Sequence, residues 1–161
     1  FAKGDIDAAW IPEPWATMLV KELNGKRLFF EEDLWPDKKF ASVLLVARAD
    51  YVKNNPELVK QWLADHKKTA QWINDNPEDA KLIFNDFMAR EFRTIFSEGI
   101  IDDSFANIMI TDDPIPSSIE TFAARADSLG YLGRQGYSLD GIFYDINNVN
   151  AQNLEDESWQ S

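Results

Sequence analysis

With 161 residues, 45% of them apolar, the chain has the length of one domain and enough apolar side chain to bury a core, which excludes a disordered or fibrous polypeptide. A formal net charge of -12 excludes nucleic acid and anionic membrane surfaces as partners, because both are polyanions. The absence of cysteine excludes disulfides, zinc-thiolate sites and a thiol nucleophile, and no apolar run approaches the roughly 18 residues of a transmembrane helix.

The first organised stretch is residues 4–16, GDIDAAWIPEPWA. Residues 6–10 are short and apolar, bounded by a Gly-Asp turn signal and by Pro12 and Pro14, which predicts a buried strand. Helical period follows, with Trp15, Met18, Leu19 and Leu23 on one face, until Asn24-Gly25 closes the helix. Residues 12–15 therefore read as a strand-to-helix corner. In an open α/β sheet such a corner is where ligands sit, and its helix N–H groups suit an anion. Trp10, Glu13 and Trp15 are its large side chains. In the competing reading Glu13 only complements the helix dipole and both Trp side chains are core. The residue types leave both readings open.

Residues 26–31 predict a short strand carrying Leu28, Phe29 and Phe30, followed by a polar loop in which Trp35 is an anchor or a lid aromatic. Residues 40–49, FASVLLVARA, are β-branched and almost continuously apolar, as in a strand covered on both faces of a parallel sheet. From Pro56 the pattern is helical, with Leu58, Val59, Trp62, Leu63, Ala70 and Ile73 on one face up to Asn76-Pro77. His66, the single histidine, falls on that face as a core or boundary residue. A second helix follows Pro77, its pattern running on to Gly99, and residues 105–110 predict another short one. Ser117 and Glu120 have the spacing of a capping box, opening a helix with Ile119, Phe122, Ala123, Ala126 and Leu129 inward and Gly130 at its end. Residues 131–152 have no strong period, and 153–161 read as a polar tail.

With one histidine and no cysteine, no nucleophile and base pair can be named, so the chain reads as non-catalytic, without cofactor. Asp102-Asp103 and Asp112-Asp113 lack calcium-loop spacing and read as caps and loops, leaving no metal site. Two or three strands, one of them apolar on both faces, also demand neighbours that this chain does not supply. An opening of Phe1-Ala2-Lys3, with neither Met nor signal peptide, fits an internal piece or a processed product.

The order of GDIDAAWIPEPWA, Leu34-Trp35-Pro36, FASVLLVARADYVKNNPELVKQWL and AQWINDNPEDAK, with TDDP and Leu139 to Tyr144 near the end, resembles the substrate-binding proteins of ABC importers for nitrate, sulfonates and taurine. Within that group it is most similar to the aliphatic-sulfonate branch. The resemblance implies an α/β fold of the type II periplasmic-binding-protein kind, partial and helix-rich. Residues 1–38 would then be the end of the second lobe, 39–152 the C-terminal part of the first, and 153–161 the tail. It implies a small solute captured between lobes, with Trp10, Glu13, Trp15 and Ser42 as ligand contacts. It further implies delivery to an ABC permease, and a periplasmic or lipid-anchored extracytoplasmic location. Glu13-Pro14 matches the family's acidic residue before proline, whereas Pro12 stands where other members have Gly and removes an N–H donor. A ligand-sensing module and a pyrimidine-precursor relative are the alternatives. An incomplete sheet would leave an exposed edge, predicted to be covered by a second copy of the chain.

Overall fold

The computed structural model describes residues 1–133 and 136–144. The predicted tail and the segment from residue 145 onward lie outside the described residues. Six α-helices organise the rest: α1 Trp15–Glu22, α2 Ala49–Asn54, α3 Pro56–Asp75, α4 Pro77–Phe92, α5 Glu98–Ala106 and α6 Pro116–Ser128. No strand is present among the described residues.

The expected α/β fold of the type II periplasmic-binding-protein kind is therefore corrected to a helical one. The reason lies in the backbone. A strand is stable only when its N–H and C=O groups find a neighbouring ladder. Residues 43–46, the centre of the clearest predicted strand, run without regular structure, and Val43 stays 89% exposed. The apolar, β-branched run favours extension but cannot itself create a partner. With no sheet among the described residues there is no sheet edge, so self-association through one is not supported.

The helices follow local signals. Pro56 and Pro77 each sit at the first position of a helix, where a missing N–H costs nothing. The helix α4 stops at Phe92, short of the predicted Gly99, because Arg93 turns left-handed at φ 54°. The segment beyond it is held by Asn85, whose side chain accepts from the Phe96 N–H and donates to its carbonyl, both at 2.9 Å. Helix α6 starts at Pro116 without the predicted capping box. Its end is as expected: Gly130 takes φ 78°, and the Tyr131 N–H reaches the Ala126 carbonyl at 3.0 Å while that of Gly130 reaches Asp127 at 2.8 Å. Helix α2 was not foreseen.

The chain forms two units. The first comprises Phe1–Phe30 and Thr69–Thr111. Its core is Met88, Phe96, Ile100 and Ile101, with Trp15, Met18, Phe84 and Phe105 packed against them. Helix α5 packs on both α1 and α4. Lys21 of α1 ties to α5 through Asp103 at 2.7 Å and the Gly99 carbonyl at 2.8 Å, and Lys81 of α4 does so through Asp102 at 2.8 Å.

The second unit comprises Glu31–Lys68 and Asp112–Ser161. Trp35 is its anchor. The indole stacks on Phe40 at 5.5 Å and on Phe122 of α6 at 6.3 Å, while the Arg125 guanidinium lies 4.7 Å from its centre and donates to the Leu34 carbonyl at 2.7 Å. Buried Ser118 accepts from the Ala41 N–H at 3.1 Å and donates to the Ile115 carbonyl at 2.8 Å. His66, expected as a core or boundary residue, is exposed and stacked on Trp62 at 5.3 Å.

Two substitutions check this account. A Cβ on Gly25 would stand 2.8 Å from the Leu19 carbonyl oxygen, so Gly25→Ala is expected to cost about 1–3 kcal/mol, read as a lower urea midpoint at unchanged slope. Trp35→Ala removes both stacks and is expected to cost about 2–4 kcal/mol and to open residues 31–40 to limited proteolysis.

Candidate functional site

The corner that opens α1 lies wholly in the first unit. Pro14, joined to Glu13 by a cis peptide bond, precedes the helix, and Glu13 turns back over its first turn. The Glu13 side chain is only 8% exposed. One carboxylate oxygen, Oε2, accepts from the Thr17 N–H at 2.9 Å; the Ser104 hydroxyl stands 3.5 Å from it but donates its proton to the Ile100 carbonyl at 2.6 Å. The other, Oε1, accepts from Arg27 Nη2 at 2.7 Å and from the Asn107 amide at 2.9 Å. Arg27 also donates to the Thr17 hydroxyl at 3.3 Å and covers the Phe30 ring at 4.5 Å.

A buried carboxylate survives as an ion only if its acceptor sites are filled. Burial pushes the Glu13 carboxyl up, but the hydrogen bonds from Thr17, Asn107 and Arg27 outweigh it and leave the group below its ordinary value. Glu13 is thus charged at neutral pH and fully occupied inside the protein. A solute amine finds it already neutralised by Arg27.

The other predicted contacts are dispersed. Trp15 turns into the core, edge to face with Phe96 at 5.0 Å. Trp10 turns the other way: it is 68% exposed and meets Phe29 edge to face at 5.4 Å. Ser42 is exposed and belongs to the other unit. Three of the N–H groups at the helix start are bonded internally. The N–H groups of Ala16 and Met18 bond to the carbonyls of Pro12 and Pro14 at 3.1 and 3.0 Å, and that of Thr17 to Glu13.

Behind the Glu13 cluster lies a cavity of about 290 Å³, lined by Thr17, Val20, Lys21, Arg27, Asp103 and Asn107 among others. Two cations and one carboxylate line it, and Glu13 offsets the remaining positive charge. A neutral polar solute or water suits it better than a free ion. Among the described residues no three metal-ligating side chains stand together, and no helix is long and apolar enough to cross a membrane.

Residues 1–85 match the NMT1-like family. The chain belongs to that family. Its members include nitrate-, sulfonate- and taurine-binding proteins of ABC importers, and membership points to a solute-binding role in transport or to kinship with pyrimidine biosynthesis. Neither curated proteins nor solved structures gave a match to the chain. The matched segment contains the corner, Arg27 and Phe29, but not Ser104 or Asn107.

Sequence reasoning missed Arg27, Ser104, Asn107 and Phe29. Glu13 to Thr17 is a spacing of four, legible on a helix start. Arg27 is 14 residues away and Asn107 is 94, so no periodicity points to them.

The Glu13 cluster sets a pH dependence with a definite sign. A folded pKa below the ordinary value near 4.5 stabilises the protein above that pH, and the contribution disappears as pH falls through the lower folded value. Glu13→Gln is expected to lose about 1–3 kcal/mol at pH 7 and to converge on the parent protein in acid, followed by denaturant unfolding at a series of pH values. A constant gap down to pH 2 would contradict the assignment.

Proposed function

We propose that this protein is the solute-binding component of an ABC importer, capturing a small sulfonate, nitrate or taurine-like solute and handing it to a membrane permease without altering it chemically. The observation that carries the reading is the family match, which spans the corner and α1 to α3 continuously. The aliphatic-sulfonate branch is the preferred assignment within it, on the resemblance of the corner and the segments after it. Capture for an importer further places the protein outside the cytoplasmic membrane.

At the corner the roles divide. Trp10 is the residue proposed to meet solute, since it is the one large side chain of the three that remains broadly accessible. Glu13 positions the corner by fixing the start of α1 against Arg27 and α5. Trp15 supports from below through Phe96. No role in binding is assigned to Ser42.

The test is a thermal-shift series on the full-length protein with alkanesulfonates, taurine and nitrate. A solute at 100 times its dissociation constant stabilises the folded state by about 2.7 kcal/mol, a rise of several degrees. A shift with one of these classes is the expected outcome. A flat response to every solute at millimolar concentration would reject the reading.

A further inference from the structure

Asn24-Gly25 is the single Asn-Gly pair in the sequence. Such a pair is chemically labile because glycine, lacking a side chain, lets its backbone nitrogen reach the preceding carboxamide. The Gly25 nitrogen attacks Asn24 Cγ, the Cγ–Nδ2 bond breaks, and ammonia leaves with the Gly25 proton, which closes a succinimide ring. Water then cleaves the ring on one side of its nitrogen. Cleavage at Cγ leaves an ordinary aspartate. Cleavage at the backbone carbonyl leaves isoaspartate, in which the main chain runs on through the former side chain. Either product carries a carboxylate where the amide was neutral.

The end of α1 restrains this reaction. The Gly25 N–H is donated to the Leu19 carbonyl at 2.9 Å, and a bonded amide gives up its proton only when the bond opens. The same carbonyl oxygen stands 2.8 Å from the place of a Cβ on Gly25, so the residue is held tightly against the helix end. Asn24 holds the left-handed φ of 54° that turns the chain there. Its carboxamide, by contrast, is exposed and takes no hydrogen bond among the described residues. Attack therefore waits on release of the last turn of α1. What holds that turn is α5: Met18 packs on Phe96, Ile100 and Ile101, and Lys21 reaches Asp103 at 2.7 Å and the Gly99 carbonyl at 2.8 Å. The rate at Asn24 is then the rate in the unfolded chain multiplied by the fraction of molecules whose turn is open.

We propose that Asn24 is a spontaneous modification site gated by the packing of α1 on α5, and that its isoaspartyl product keeps the turn from closing again. Isoaspartate adds a methylene to the backbone just ahead of Gly25 and so displaces the Gly25 N–H from the Leu19 carbonyl. The close approach at Gly25 leaves no slack to absorb the added length. The new carboxylate also lies at the negative end of the α1 dipole, near Glu22, where it is repelled. A passing loosening of the first unit is thereby converted into a permanent one.

The experiment incubates the full-length protein at neutral pH, folded and in urea above its unfolding midpoint, and follows the tryptic peptide Glu22–Lys26 by mass spectrometry. Loss of the Asn24 amide is expected to be at least tenfold slower in the folded protein. Ile100→Val trims the core beneath α1 at a place remote from Asn24 in sequence. It should quicken conversion in the folded protein at least twofold and leave the rate in urea unchanged. Equal rates folded and unfolded, or a folded rate indifferent to Ile100→Val, overturn the gating. The isoaspartyl form, isolated chromatographically, is expected to unfold at a lower urea concentration than the amide form, whereas Asn24→Asp stays close to the parent protein. An isoaspartyl form with the parent's midpoint, or an Asn24→Asp variant as unstable as that form, overturns the backbone effect and with it the proposal.

Discussion

The buried Glu13 carboxylate is the constraint on which the first unit depends. A charge removed from water must be matched at every acceptor site or it is lost to protonation. Here the matching groups come from α1, from Arg27 in the segment after it, and from Asn107 just after α5. Satisfying one carboxylate therefore brings three separate parts of the chain to one point. It also determines what the corner can no longer do, because the groups that would have met an anion are turned inward.

Apolar packing completes that arrangement. Trp15 follows directly on the corner and enters the cluster of Phe96, Ile100 and Ile101, so the residue that begins α1 is also the residue that seats it. The ion pairs of Lys21 and Lys81 to α5 lie outside this cluster and are worth less, since their partners Asp103 and Asp102 are well exposed. The second unit is built on a different principle. A planar stack of Phe40, Trp35 and Phe122, crossed by Arg125, ties the loop before residue 40 to α6.

Within the six residues from Trp10 to Trp15 the corner sends its large side chains in opposite directions. Glu13 and Trp15 face inward and carry stability, whereas Trp10 faces outward. An acidic residue before proline at such a corner thus reads as an internal anchor of the helix start.

The sequence by itself determined several helix boundaries and the family. Proline at a first helical position and glycine in a left-handed cap act through the few residues around them, so Pro56, Pro77 and Gly130 mark true boundaries without reference to the rest of the chain. For Trp35 the sequence left an anchor and a lid aromatic both open, and its stacks on Phe40 and Phe122 make it the anchor. The tertiary structure alone decided three things. Residues 43–46 run without regular structure and belong to no sheet among the described residues, because a ladder is a property of two segments and not of one. Glu13 is held in an internal ion pair, because Arg27 and Asn107 reach it from 14 and 94 residues away. Trp10 and Trp15, alike in a sequence pattern, were sent to opposite environments by what packs beside each: Phe29 at the surface and Phe96 in the core.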